Sequence, residues 1–322
     1  MFRTLIKLTI IFSVAVSFNA FSQSDYPTRP IRIIVGYAPG ASTDTVTRII
    51  ADKLSITLGQ PVIVENRVGA AGLIAAQAVA HATPDGYTLL ACNPELVGIV
   101  PALYKNPPYN AIKDFTYIGL LSRNSGWIVV VNPQTSIKNV NDLIRVAKTT
   151  DKLISYGSYG IGSLPHLNFE ALKAKLNIDM VHIPYRGGAL SFQAAMAGEV
   201  QIVSGTSFID LIRSGKLRAI AIGGDKRSPL LPDIPTFSEL GYGDQIFGEL
   251  YVGLAAPAGT PLLVVNKISA ELKKIISMPD VIERIGKFSD ATYVTPQEFN
   301  EIVRRDVNYF GPIVRSLGLN VQ

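Results

Sequence analysis

Short apolar runs alternate along this chain with segments whose apolar residues recur every three or four positions. The run at residues 31–35 is almost wholly apolar, which is typical of a strand buried on both faces. The apolar positions that follow it share one face of a helix: Val46, Ile49, Ile50, Leu54 and Leu58. Gly59 and Pro61 then predict the end of that helix.

The same alternation continues to the C-terminus and predicts an α/β fold. Further strands are predicted at residues 62–64, 87–92, 128–131, 153–156, 179–183, 200–203 and 217–222. Further helices are predicted at residues 72–80, 139–148, 165–176, 261–276 and 296–317, and loops at residues 228–243 and 253–261.

One pattern recurs: an apolar strand ends in a glycine-rich turn that opens a helix. It occurs at residues 36–44, 157–165 and 184–189. Two lobes, each presenting such a turn to a shared cleft, would explain this recurrence.

The N-terminus has the pattern of a secretory signal peptide. Arg3 and Lys7 precede an apolar stretch at residues 8–18, and Ala20 and Ser22 provide a small-residue cleavage site before Gln23. Residues 1–22 are therefore predicted to be removed, with the mature protein in the periplasm. The single cysteine, Cys92, excludes an intramolecular disulfide.

Charge excludes one class of partner. The formal net charge of +5 becomes +3 when Arg3 and Lys7 are removed, and the other basic residues are scattered along the chain. A scattered distribution argues against binding to nucleic acid.

The start of the helix after residue 41 is a candidate anion site. The first N–H groups of a helix have no intrahelical acceptor and lie at the positive end of its dipole. Backbone groups from Gly40 to Thr43 are therefore candidates to bind a carboxylate or phosphate. The alternative is a purely structural helix cap, because Ser42, Thr43 and Asp44 are all favoured there. Asp44 is assigned to capping because its charge would repel an anion.

A second glycine-rich turn spans residues 157–163, where glycines permit close approach to a ligand. Arg186 follows a strand and suits carboxylate binding, although a solvated surface arginine is the alternative. The three histidines lack metal-ligand spacing, and no catalytic motif is present. A secreted hydrolase or isomerase that uses Cys92 or Ser163 with His166 remains a remote alternative.

From residue 26 to the C-terminus the chain resembles the Bug family, the TctC-like periplasmic receptors of tripartite tricarboxylate transporters. The landmarks that carry the resemblance lie at residues 26–31, 37–44, 58–62, 64–67, 84–90, 156–163, 182–187, 214–218, 232–236 and 255–261. The family often has an acidic residue after Gln201 that this chain lacks, and Glu95 is the candidate to compensate.

The resemblance implies a two-lobed periplasmic binding protein fold with the ligand cleft between the lobes. Lobe one would comprise residues 23–126 and 249–322, and lobe two residues 127–248. The implied ligand is a small organic carboxylate, held without a metal, a cofactor or catalysis. The positions expected to line the site are Tyr37, Ala38, Gly40, Ala41, Ser42, Thr43, Asp44, Asn93, Tyr159, Gly160, Gly162, Ser163, His166, Tyr185, Arg186, Gly187 and Thr206.

The implied partners are the membrane subunits of the transporter (TctA/TctB-like), and a monomer is expected. The alternative is a sensory receptor whose loaded form is presented to a membrane histidine kinase.

Overall fold

The computed structural model describes residues 26–124, 126–149, 153–206, 208–224, 226–228, 230–243, 249–287 and 289–319. The predicted signal peptide lies outside the described residues. Strands, in chain order, are β1 (Ile31–Val35), β2 (Val62–Asn66), β3 (Thr88–Cys92), β4 (Phe115–Asn124), β5 (Ile128–Val131), β6 (Ile154–Ser158), β7 (Met180–Pro184), β8 (Ile202–Gly205), β9 (Arg218–Ile222), β10 (Leu250–Pro257) and β11 (Asp290–Val294).

Helices, in chain order, are α1 (Ser42–Leu58), α2 (Leu73–Ala80), α3 (Val100–Leu103), α4 (Val140–Thr149), α5 (Leu164–Leu176), α6 (Gly188–Ala197), α7 (Ile209–Arg213), α8 (Leu262–Ile276), α9 (Pro279–Gly286) and α10 (Pro296–Ser316). A 3₁₀ turn covers Ala70–Gly72 and a π-helical turn covers Glu95–Ile99. Within the described residues, no helix combines the length and apolar character needed to cross a membrane.

The strands form two sheets, and this confirms the predicted α/β fold. The sheet of lobe one has the order β11-β4-β10-β3-β1-β2, and the sheet of lobe two has the order β7-β6-β8-β5-β9. Strands β1, β2 and β3 are parallel, so their carboxyl ends meet at one edge of the sheet. Ligands of open α/β sheets bind beyond such carboxyl ends.

Each face of the lobe-one sheet is covered, as expected for strands that are apolar throughout. Ile33 packs in a core that contains residues of α1 and α8, and the neighbouring Ile34 packs in a core that contains residues of α2 and α10. Helix α1 ends at Gly59 in the left-handed conformation (φ 67°), as its sequence predicted.

The predicted loop at residues 253–261 is wrong over residues 253–257. These residues belong to β10, a buried strand between β3 and β4. Small residues are typical of loops, but in β10 they allow close packing. A Cβ on Gly253 would lie 2.3 Å from the Phe299 ring of α10.

The chain crosses between the sheets at two neighbouring places. Strands β4 and β10 pair antiparallel, and Arg123 near the end of β4 forms an ion pair of 2.6 Å with Glu249, just before β10. Gly126 has a left-handed φ of 140°, and a Cβ there would lie 1.9 Å from the Gly223 carbonyl oxygen. Only glycine fits the first crossing without displacing this backbone.

Helix α10 belongs to the cores of both lobes. Phe299 and Val303 in its first half pack in the lobe-one core, and Phe310 and Val314 in its second half pack in the lobe-two core. The division of the chain into lobes at residues 126 and 248 remains a proposal. Helix α10 packs in the cores of both lobes, so no single boundary assigns it to one of them.

Candidate functional site

The start of α1 lies directly beyond the carboxyl end of β1. Ala41 is the N-cap, without a side-chain cap, so Ser42 and Thr43 occupy the first two helical positions. Their N–H groups have no acceptor within the helix. Gly36 lets the chain between β1 and α1 pass close to the 3₁₀ turn of lobe one, because a Cβ there would lie 2.5 Å from the Gly72 Cα.

Asp44 holds this turn together from within the protein. Its carboxylate accepts hydrogen bonds from Gly40 N (2.9 Å), Arg48 Nε (3.0 Å) and Asn66 Nδ2 (2.7 Å). Burial acts to raise the pKa of Asp44, but these three donors outweigh it and hold the pKa below its usual value. The side chain therefore stabilises the turn that precedes α1, although it does not cap the helix, because the N-cap is Ala41 and has no side-chain cap hydrogen bond.

Tyr37, Asn93 and Glu95 form the wall of lobe one. Tyr37 Oη lies 3.0 Å from Asn93 Oδ1 and 3.3 Å from Glu95 Oε2. Asn93 Nδ2 lies 3.4 Å from Thr43 Oγ1, so this wall contacts the start of α1. Burial, followed by the charge of Glu95, raises the pKa of Tyr37, which keeps its hydroxyl protonated and able to donate.

The glycine-rich turn of lobe two joins β6 to α5. Gly160 and Gly162 have left-handed φ angles of 132° and 76°. The N–H groups of Gly160, Gly162 and Ser163 donate to Ser158 Oγ (3.1 Å), His166 Nδ1 (3.0 Å) and Gly160 O (3.2 Å). These three N–H groups, which were candidates for ligand contact, are thus used inside the turn. The backbone of Leu164, the first residue of α5, lies close enough to the Glu95 carboxyl of lobe one to lower its pKa.

A histidine pair supports this turn from beneath. The rings of His166 and His182 stack at 3.9 Å, and His182 Nε2 lies 2.6 Å from Ser158 Oγ. Burial lowers the pKa of both, that of His182 to about 4, so both rings are neutral at neutral pH. His166 was expected to border the cleft, but it is buried and its Nδ1 is occupied by Gly162.

Tyr159 is the side chain of lobe two that faces the lobe-one wall. Its hydroxyl donates to Ser204 O at 3.2 Å, and its ring lies 6.2 Å from that of Trp127. Its pKa is raised by burial and then by the charge of Glu95, so these residues of opposite lobes lie near one another. The candidate cleft therefore has Tyr37, Asn93 and Glu95 on one side and Tyr159 with the start of α5 on the other.

The remaining predicted positions lie around this centre. Tyr185 N donates to Ser158 O (3.1 Å), which sets residues 185–187 beside the lobe-two turn. Gly187 is the N-cap of α6 with a left-handed φ of 109°. Arg186 is exposed and forms no ion pair within the described residues, which agrees with the solvated alternative. Ala38 and Gly40 are exposed on the lobe-one turn, and Thr206 is half-buried just after β8.

Sequence reasoning missed two buried polar groups beside Tyr159. Among the described residues, Trp127 Nε1 and Ser204 Oγ are buried without a hydrogen-bond partner. Both residues contact Tyr159. The only sequence signal is their position, one just before β5 and one near the end of its antiparallel neighbour β8.

The residues named for a hydrolase do not form a catalytic group. Cys92 is fully buried, its thiol lies 3.5 Å from Gly253 O, and burial raises its pKa well above the usual value. Ser163 Oγ donates to Gly160 O (2.7 Å), while His166 Nδ1 accepts from Gly162. Nothing here activates a nucleophile. Within the described residues no group of His, Cys, Asp and Glu side chains is arranged to hold a metal.

A comparison with protein families decides the assignment. The model for the tripartite tricarboxylate transporter family receptor (TctC) matches residues 46–319. The chain belongs to this receptor family. Its members are receptors without enzymatic activity, and the resemblance to the Bug and TctC proteins is confirmed.

Relatives agree over nearly the whole length of the receptor. It is 36% identical over 308 residues to the "UPF0065 protein in gbd 5'region" of Cupriavidus necator, which covers 93% of this chain and 91% of that protein. The periplasmic binding protein BugD superposes with a TM-score of 0.73 and 32% identity, covering 92% of this chain and 100% of BugD.

A third comparison includes a ligand. The structure of MatC from Rhodopseudomonas palustris with bound malate superposes with a TM-score of 0.71 and 28% identity, covering 90% of this chain and 100% of MatC. The predicted two-lobed architecture is confirmed by these neighbours.

Proposed function

We propose that the receptor captures a small organic carboxylate between its lobes in the periplasm and delivers it to the membrane subunits of a tripartite transporter. One observation carries the proposal: the N-termini of α1 and α5, from opposite lobes, meet at one group of side chains. Thr43 Oγ1 of α1 lies 3.4 Å from Asn93 Nδ2, and the backbone of Leu164 of α5 lies close enough to Glu95, two residues further along the chain, to lower its pKa.

The two helix starts contribute unequally to binding a negatively charged ligand: both lie at the positive end of a helix dipole, but the N–H groups of the turn before α5 are already used inside lobe two. The N-terminus of each helix carries roughly half a positive charge, and its first N–H groups lack intrahelical acceptors. Ser42 and Thr43 of lobe one would hold the carboxylate, and Tyr37, Asn93 and Tyr159 would contact the rest of the ligand. The other predicted positions around this centre remain part of the proposed site.

The comparisons support the ligand class and the partner. MatC, which shares the fold over its full length, is known with bound malate. The family is described as the receptor of tripartite tricarboxylate transporters. The predicted signal peptide agrees with a periplasmic location.

The direct test is binding to ligand-free protein. Residues 23–322 would be purified, unfolded to release bound ligand, refolded and titrated calorimetrically with malate, adipate and citrate, with glucose as uncharged control. At least one carboxylate should bind and raise the melting temperature, by a stabilisation of about 2.7 kcal/mol at one hundred times its Kd. If no organic carboxylate binds the refolded protein, the proposed function fails.

A further inference from the structure

Glu95 places a carboxyl group between the two lobes. It begins the π-helical turn after β3, and its Oε2 lies 3.3 Å from Tyr37 Oη. The backbone of Leu164 approaches it from lobe two, and its charge raises the pKa of Tyr159 there. The carboxyl group therefore faces the cleft and not the core of its own lobe.

Glu95 has no cationic partner within the described part of the chain. Other acids that lie away from solvent do: Asp44 is paired with Arg48 at 3.0 Å, and Glu249 with Arg123 at 2.6 Å. The groups that favour the ionised form of Glu95 are the hydroxyl of Tyr37 and the backbone of Leu164, both uncharged. Burial outweighs them and raises the pKa of Glu95.

The described residues supply no opposite charge for this carboxyl group. A carboxylate removed from water without a compensating cation is costly, and the cost falls when an opposite charge comes within hydrogen-bonding distance. The surrounding side chains of Tyr37, Asn93 and Tyr159 carry no positive charge. A positive charge beside Glu95 would therefore have to come from the ligand.

The two ends of the cleft then favour groups of opposite charge. The start of α1 at Ser42 and Thr43 favours a negative group. Glu95 favours a positive one, and Asn93 lies between them in contact with Thr43 and Tyr37. We propose that Glu95 selects, among organic carboxylates, ligands that also carry a protonated nitrogen near the carboxylate. This inference rests on the proposed function and narrows it to a ligand class.

The experiment compares ligands that differ by one amino group. Refolded protein (residues 23–322) would be titrated with succinate and aspartate, glutarate and glutamate, and butyrate and 4-aminobutyrate. In at least one pair the amino member should bind 10-fold tighter or more. Glu95→Gln should weaken that amino member at least 10-fold and change its partner less than 3-fold. Glu283→Gln, an exposed glutamate of lobe one, is the matched control and should alter neither.

The comparison of the ligand pairs on wild-type protein decides the question even if Glu95→Gln does not fold.

Other outcomes overturn the inference. If the members without an amino group bind as tightly or more tightly, or if Glu95→Gln leaves the amino preference unchanged, Glu95 does not select a cation. Both results would leave the proposed function intact. If no compound of either kind binds, the proposed function itself fails, and this inference fails with it.

Discussion

Asp306 shows how a single buried acid affects this receptor. Its carboxyl accepts a hydrogen bond of 2.6 Å from Tyr251 inside lobe one, while Arg305 Nε lies 3.8 Å away. Burial raises the pKa of Asp306 to about 7, and the hydrogen bond from Tyr251 only partly opposes this. The group is therefore protonated in the folded protein at pH values where it is ionised in the unfolded chain.

The free energy of unfolding should therefore depend on pH through Asp306. An unfolded aspartate loses its proton near pH 3.9, so between about pH 4 and 7 the folded state binds more protons. The free energy of unfolding should fall as pH rises through this window, by at most about 4 kcal/mol from this group. Asp306→Asn should remove that dependence, measured by urea unfolding at pH 5, 6, 7 and 8.

Asp290→Asn, an exposed aspartate of β11, is the control and should keep the wild-type dependence. Equal slopes for wild-type and Asp306→Asn would show that Asp306 is ionised in the folded protein.

At the scale of elements, the start of α1 can be altered without altering the helix. Ser42 is the first helical residue, where proline is favoured because its missing N–H has no intrahelical acceptor. Ala41 already has the extended conformation that a following proline requires (φ −63°, ψ 156°). Ser42→Pro should therefore remove one N–H donor and leave the fold intact.

If that N–H binds the ligand carboxylate, Ser42→Pro should weaken carboxylate binding about 10-fold or more, as expected for a hydrogen bond to a charged group. Ser42→Ala keeps the N–H and should bind within 2-fold of wild type. Calorimetry of both variants decides this, with circular dichroism to verify folding. Wild-type affinity in Ser42→Pro would show that the ligand carboxylate does not bind at the start of α1.

Much of this element structure could be predicted from sequence. Apolar runs correctly predicted β1 and β5, and helical spacing correctly predicted α1, because local burial dictates these patterns. Strand β10 could not be predicted, because its small residues are required by packing against Phe299, which is distant in sequence. Glu95 could be named as a candidate, but its contact with Leu164 depends on how the lobes meet. The stacking of His166 on His182 likewise needs the pairing of β6 with β7.

At the scale of the whole molecule, α10 connects the stability of the two lobes. Phe310 is fully buried in the lobe-two core, and a Cβ on Gly98 of lobe one would lie 2.8 Å from its ring. The aromatic ring therefore packs against both lobes at once.

Phe310→Ala should lower the free energy of unfolding by about 3–5 kcal/mol. Because the lost ring joins the lobes, calorimetric melting should also separate into two transitions. Phe299→Ala removes a ring of similar burial from the lobe-one half of the same helix and should destabilise without this separation. A single, lower transition for Phe310→Ala would show that α10 does not couple the lobes.

The position of β10 also governs the order in which the chain can fold. It hydrogen-bonds to β3 on one side and β4 on the other, so these two strands join one sheet only when residues 250–257 are present. Lobe two takes its five strands from one continuous stretch, residues 128–222. As the chain emerges N-terminus first, the second sheet can thus be complete while the first still lacks its central strand. Ligand capture must wait for the last quarter of the chain.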